Sequence, residues 1–100
     1  MKIFKIKEGK LEQWKQWCKE LETSRRGEAI ETLRDEGVTR EGCLLFQIGT
    51  DNYVVGFAEG NPHPSDPTLS INQEHKRHRE ECLESVVSTQ VLYDLRLEDE

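Results

Sequence analysis

The chain has 100 residues, a formal net charge of −6 and a pI near 5.1. This length accommodates one core rather than two linked folded units, so we predict a single domain over residues 1–100. The acidic balance and the absence of a Lys- or Arg-rich run argue against nucleic acid as a partner. No stretch approaches the roughly 20 apolar residues of a membrane helix, and the N-terminus lacks a secretory signal, so we expect a cytoplasmic protein with no membrane partner.

Cysteine usage argues against a disulfide framework. Cys18, Cys43 and Cys82 form neither an even set nor a CxxC pair. Such a pattern also gives no indication of a zinc ribbon. We therefore expect reduced thiols.

The first part of the chain predicts a strand followed by a long helix. Residues 2–7 alternate in the manner of a short strand. From Lys10, spacings of three and four produce one helical stripe, formed by Leu11, Trp14, Cys18, Leu21, Arg25 and Ala29. We predict a helix over 10–36 with a bend near 23–27, ended by Gly37 in the left-handed conformation.

Two strands separated by a turn follow. Residues 43–48 and 53–59 are apolar and enclose a hairpin loop at 49–52. With a hairpin loop of either two or four residues, strand pairing places the same alternating side chains of the two strands on one face of the sheet. These are Leu44, Phe46, Ile48, Tyr53, Val55 and Phe57. The other set is Cys43, Leu45, Gln47, Val54, Gly56 and Ala58. We expect helices to cover the first set, because its side chains are the bulkier ones.

The last part of the chain predicts a loop, a helix and a strand. The loop at 60–67 holds all three prolines. A second helix is expected over 71–87 and a last strand over 89–97, where apolar and polar residues alternate. Residues 98–100 form an acidic tail.

The element order predicts an α+β fold with a ferredoxin-like β-α-β-β-α-β arrangement. Its four-stranded antiparallel sheet would carry both helices on one face. The open face would then hold Ile3, Lys5, Leu45, Val54, Gly56, Ala58 and Leu92. Because that face is too apolar to remain in water, we expect a homodimer to form through it.

The second helix turns two histidines inward. At 100° per residue, one narrow stripe contains Ile71, His75, His78, Cys82 and Val86. Both histidines have two interpretations: structural core residues, or groups that move protons in a pocket near neutral pH.

A metal site built from His75, His78 and Cys82 is a weaker alternative. Residues three or four apart on one helix face can reach a common ion, but no second ligand cluster is present. No phosphate-binding loop or nucleophile elbow is found either. We expect no metal and no cofactor.

The first helix adds three side chains to the same interior. Trp14 favours plain packing, and Cys18 favours a buried thiol. Arg25 either needs a carboxylate or an anionic ligand, or reaches solvent along its stem at the bend. Glu59 has the parity to be that carboxylate, although the end of a strand favours exposure.

Three segments resemble a small uncharacterised bacterial family of the dimeric α/β-barrel superfamily: FKIKEGKLEQWKQWCKEL, LLFQIGTDNYVVGFAEG and INQEHKRHREECLE. The resemblance implies two ferredoxin-like sheets packed back to back, with a pocket between sheet and helices in each subunit. It also implies functions as varied as monooxygenation, sugar mutarotation, lactone isomerisation, haem binding and small-molecule sensing. Rhamnose mutarotases have an inward tyrosine and histidine where this chain has Trp14 and Cys18, which argues against that activity.

The leading hypothesis is therefore a dimer that binds a small polar or anionic molecule in a helix-sheet pocket, as in a cofactor-free isomerase or monooxygenase. His75 and His78 would transfer protons or donate hydrogen bonds, and Arg25 would orient the ligand. The remaining ligand-binding positions would be Trp14, Cys18, Phe46, Tyr53, Phe57 and Glu59. The alternative is a non-catalytic association or regulatory module with structural histidines.

Overall fold

The computed structural model describes residues 2–85 and 90–97. Its elements in chain order are β1 (Lys2–Ile6), α1 (Leu11–Glu22), α2 (Arg26–Glu36), β2 (Val38–Ile48), β3 (Asp51–Gly60), α3 (Ser70–Cys82) and β4 (Leu83–Ser85). The α+β prediction is confirmed, with a four-stranded antiparallel sheet in the order β2-β3-β1-β4 and three helices. Within the described ranges, each helix is too short and too polar to cross a bilayer.

The helix predicted over 10–36 is two helices, because the expected bend is a break. α1 ends at Glu22, where the Thr23 hydroxyl donates to the Lys19 carbonyl at 2.7 Å. The amide of Arg25 then reaches back to the Glu20 carbonyl at 2.7 Å, closing a turn before α2 begins. The end of α2 is as predicted, since Gly37 is left-handed with φ 70°.

The pairing predicted for the hairpin is confirmed. Leu44 pairs with Val55 and Phe46 with Tyr53, as the loop parity requires. Gly49 supports the turn with a φ of 63°, which favours glycine. β2 starts at Val38, earlier than predicted, and extends the ladder back to Gly60.

The prediction of which hairpin face the helices cover was wrong. Val54 is 2% exposed and lies in the core with two tryptophans of α1 and with Ile71 and Cys82 of α3. Its pairing with Phe4 and Leu45 puts those residues on the helix-covered face. Leu44 and Ile48, predicted to be covered, are 58% and 62% exposed on the open face. Side-chain bulk does not decide which face the helices cover. The side chains of Phe4 and Ile6 on β1 point into the core, and the register of the neighbouring strands then determines the face of each of their side chains.

The C-terminal elements also differ from the prediction. α3 ends at Cys82, and Leu83–Ser85 pairs with β1 as the fourth strand. Leu83 adopts extended angles, φ −119° and ψ 146°, with no glycine or proline nearby to signal the change. Residues 90–97, which form most of the last strand predicted over 89–97, lie outside the sheet. The predicted boundaries at Val87 and Thr89, and the tail at 98–100, fall outside the described residues.

The segment 90–97 keeps its apolar side chains in solvent. The exposed fractions run from 77% to 87% for its large apolar residues, Val91, Leu92, Tyr93, Leu95 and Leu97. Isolated exposed apolar residues are ordinary, but a run of this kind is typical of a surface that meets another chain.

Candidate functional site

His75 and His78 lie where α3 packs against α1, with Trp17 between them. The indole Nε1 of Trp17 donates to His75 Nδ1 at 2.9 Å. The His78 ring stacks on the same indole, with centroids 4.4 Å apart and an interplanar angle of 19°. Because Trp17 is only 1% exposed, it anchors both imidazoles to the core. The rings are inward, as predicted, but they face α1 rather than the sheet.

The surroundings of His75 favour its neutral form. Burial is the largest cause that lowers its pKa from 6.5 to about 4, followed by the charges of Arg79 and His78. The hydrogen bond from Trp17 also requires an unprotonated Nδ1, which assigns the proton to Nε2. His75 is therefore a neutral hydrogen-bonding group at pH 7.

Arg25 has carboxylate partners within the chain. Its guanidinium forms two hydrogen bonds with Glu28, Nε to Oε1 at 2.7 Å and Nη2 to Oε2 at 2.9 Å. Nη1 pairs with Glu74 of α3. These hydrogen bonds, first to Glu28 and then to Glu74, raise the pKa of Arg25. Glu59 is not its partner, since that carboxylate is exposed and lies 3.6 Å from Arg40.

Three of the predicted ligand-binding residues lie across the sheet from the histidines. Phe46 and Tyr53 stack on the open face with centroids 5.4 Å apart. Phe57 covers Gly42 so closely that a Cβ there would lie 2.2 Å from its ring. The structure does not bring these aromatic residues together with His75 and His78.

The covered face contains open space that the sequence analysis missed. Gly56 and its pairing partner Cys43 share this face with Val54. A Cβ on Gly56 would meet nothing within 4 Å, and Cys43 is exposed even though it lies on the helix side. The sequence feature that could have predicted this space is a glycine inside an apolar strand, because such a glycine often marks a position where a ligand or another backbone approaches closely.

Trp14 and Cys18 lie one helical turn apart on α1, and both act on the acidity of the Cys43 thiol. Trp14 is 5% exposed, and its Nε1 has no hydrogen-bond partner among the described residues. Cys18, and to a lesser extent Trp14, lower the pKa of the Cys43 thiol, while burial and Glu41 raise it. A buried donor without a partner is uncommon and calls for an explanation.

A cleft of about 240 Å³ is lined by Phe4, Lys76, Arg79, Glu80 and Leu83. Lys76 is 4.0 Å from Glu80. Within residues 2–85 and 90–97, Arg79 forms no ion pair. Its charge nevertheless lowers the pKa of His75 and opposes the rise that burial causes in the pKa of Glu41. Arg79 thus provides a positive charge beside the open part of the covered face.

The described residues contain no group of three or more His, Cys, Asp or Glu side chains suited to a metal ion. The trio His75, His78 and Cys82, considered above as a weaker alternative, is accordingly not such a group. His78 instead contacts polar neighbours: Gln13 Nε2 lies 3.4 Å from its Nδ1 and Arg77 Nη2 lies 3.3 Å from its Nε2.

Comparison with known proteins identifies a family but no characterised relative. No curated protein and no solved structure matches the chain. These comparisons show no link to the dimeric α/β-barrel superfamily. One family model, described as a family of unknown function, matches residues 1–100. The chain therefore belongs to the family of unknown function DUF6176.

Proposed function

We propose that this chain is a homodimeric binding protein that holds a small anionic molecule between its helices and the covered face of the sheet. One observation carries the proposal: the space above Gly56 is open, although the helices bury the neighbouring Val54 on the same face. Cores are normally filled to high density, so an unfilled region beside exposed Cys43 suits a ligand.

Three polar groups of the helical layer support an anion. Arg79 carries a positive charge without an ion pair in the described part of the chain. Lys76 shares the same cleft, and Trp14 offers an N–H without a partner. A guanidinium and an N–H donor are the groups that recognise carboxylate or phosphate oxygens.

His75 supports binding rather than acid-base catalysis. A pKa of about 4 leaves it neutral at pH 7, so it is a poor proton donor and a weak base. In this proposal His75 positions the site through Trp17 and α3. Isomerase or monooxygenase chemistry would need another group to move protons.

The proposed dimer is ferredoxin-like and forms through the open face. The order β2-β3-β1-β4, with the core on one side, matches a split β-α-β arrangement. The open face then contains an apolar surface made of Ile3, Leu44, Phe46, Ile48, Tyr53, Val55 and Phe57. Because monomers rarely leave such a patch in water, a second copy covers it.

A cytoplasmic location is part of the same proposal. All three cysteines are free thiols in this structure. Free thiols suit a reducing compartment.

Anion binding is tested by titrating the protein with inorganic phosphate and with succinate while recording amide NMR shifts. We expect saturable shifts at Gly56 and its neighbours, and binding weakened at least about fivefold in Arg79→Gln, the loss of one charged hydrogen-bonding partner. Arg34→Gln is the matched control, because Arg34 is exposed and pairs with Glu31 on α2. Equal affinity in the Arg79 and Arg34 variants would contradict the proposal. So would shifts that never saturate.

The dimer interface is tested with two adjacent leucines of β2. Leu44 is 58% exposed on the open face, and Leu45 is 47% exposed on the covered face. Sedimentation should give a dimer for the unaltered chain, a monomer for Leu44→Asp and a dimer for Leu45→Asp. A monomeric unaltered chain, or equal behaviour of both variants, would exclude the proposed interface.

The alternative function is an association module whose histidines are structural. It is favoured by the packing of both imidazoles on Trp17. A dimer that binds neither phosphate nor succinate, and in which His75→Gln lowers only stability, would favour this alternative.

A further inference from the structure

The segment 90–97 has the pattern of a strand but pairs with no strand of its own chain. Within the described residues it belongs to no sheet, and its large apolar side chains are 77% to 87% exposed. Its alternation is typical of a strand with two unlike sides. The apolar side is Val91, Tyr93, Leu95 and Leu97, and the more polar side is Gln90, Leu92, Asp94 and Arg96. The segment is therefore a strand sequence that lacks a partner.

The outer edge of β2 is the longer of the two edges of the sheet. In the order β2-β3-β1-β4, the edge strands of the described chain are β2, with 11 residues, and β4, with 3 residues. An edge strand leaves every second backbone N–H and C=O without a strand partner. Proteins usually protect such an edge with charge or proline, but residues 43–48 contain neither. The edge of β2 is thus suited to accept another strand.

The side chains beside this edge are exposed on both faces of the sheet. On the open face, Leu44 and Ile48 are 58% and 62% exposed. On the covered face, the helices bury Val54 of β3 but leave its pairing partner Leu45 on β2 47% exposed. Cys43 is exposed on the same face. A strand added beside β2 would cover apolar surface on either side.

We propose that the segment 90–97 of each subunit pairs with the β2 edge of the other subunit, so that the dimer exchanges strands. This inference rests on the homodimer of the proposed function and specifies how its two subunits are joined. At about 3.3 Å per residue, the segment spans about 26 Å, which fits within the 11 residues of β2.

The order of the strands favours pairing between subunits over pairing within one chain. The segment follows β4, which lies at the opposite edge of the sheet from β2. A strand beyond β2 is four strand spacings from β4, or about 19 Å. The chain from Ser85 to Gln90 reaches at most about 18 Å even when fully extended. The segment therefore cannot add to the β2 edge of its own subunit without leaving that strand position partly empty, whereas a second copy has no such limit.

The two sides of the added strand match the two faces of the sheet. Its apolar side would continue the apolar surface of the open face, where burial is favoured. Its more polar side would then lie on the covered face beside Cys43 and Leu45. Because Cys43 pairs with Gly56, the strand would close the outer side of the open space above Gly56. The proposed ligand site is thus completed by the second subunit.

The test uses the thiol of Cys43 as a reporter of the neighbouring strand. Cysteine is introduced at single exposed positions of alternating side: Gln90→Cys, Leu92→Cys and Asp94→Cys on the side of Cys43, and Val91→Cys, Tyr93→Cys and Leu95→Cys on the other. After mild oxidation, non-reducing electrophoresis and peptide mapping should detect a disulfide between two chains in the first set only. The second set is the matched control, since a disulfide requires Cβ atoms within about 4.5 Å of each other. Adding Cys43→Ser should abolish the crosslink.

Sedimentation of the same variants before oxidation separates this inference from the proposed dimer. Dimers in which neither set crosslinks through Cys43, or in which both sets crosslink equally, would overturn the strand exchange and leave the open-face dimer intact. A disulfide to Cys43 within one chain would also overturn the exchange. Monomers would overturn both proposals.

Discussion

At the scale of single residues, His75 shows how one hydrogen bond and burial together set a charge state. The Trp17 indole needs an acceptor, and His75 Nδ1 provides one only when it is unprotonated. Protonation would break this bond inside the α1–α3 interface. A histidine that the sequence pattern offers as a proton carrier is thus kept neutral by the tryptophan beside it.

This arrangement predicts a loss of stability in acid. The folded pKa of about 4 lies below the ordinary 6.5, so between these values the unfolded chain binds more protons than the folded chain. The contribution of His75 is complete above pH 6.5 and falls by about 3 kcal/mol as the pH drops to about 4. Urea unfolding across this range should show a smaller decrease for His75→Gln, whose amide oxygen can still accept from Trp17. An identical decrease in both proteins would refute the assignment.

At the scale of elements, the break between α1 and α2 is stabilised by a charged cluster. Arg25 lies at the start of α2, holds Glu28 of the same helix and reaches Glu74 of α3. It therefore ties the turn after Glu22 to the third helix. Gly37 made the end of α2 predictable from the sequence. Residues 23–25 contain no glycine or proline, so the sequence pattern predicted only a bend there.

Removing this tie should destabilise the helical layer. We expect Arg25→Gln to lower the midpoint of thermal unfolding by several degrees, because Glu74 would lose its partner at a half-buried position. Arg26→Gln provides the control, since among the described residues Arg26 pairs only with exposed Glu22 and exposed pairs contribute little. Calorimetry that finds equal shifts for the two variants would show that the Glu74 contact is unimportant.

At the scale of the whole molecule, apolar surface remains in two places. The open face of the sheet carries its aromatic and aliphatic residues outward, and the segment 90–97 exposes five large apolar side chains. Only 34% of the residues of this chain are hydrophobic, so these exposed positions are a substantial part of its apolar side chains. Both surfaces are therefore candidates for the interface of the proposed dimer.

The segment 90–97 should matter for association more than for folding. Deleting residues 90–100 should preserve the far-UV spectrum, because the described part of that segment, 90–97, contributes no strand to the sheet. The dimer should dissociate at least about tenfold more readily, since burying even one large apolar side chain stabilises a complex by at least that factor. Sedimentation equilibrium measures the change. Unfolding of the shortened chain, or an unaltered dimer, would contradict this prediction.

Local pattern by itself determined the fold class, the pairing of the hairpin, the stop at Gly37 and the inward direction of the two histidines. These features depend on spacing within one helix or across one turn. Only the tertiary structure decided which hairpin face the helices cover, because that follows from the long-range pairing of Phe4 with Val54. It also decided that Leu83–Ser85 is the fourth strand and that Arg25 pairs with Glu74, since contacts between distant segments leave no mark on local periodicity.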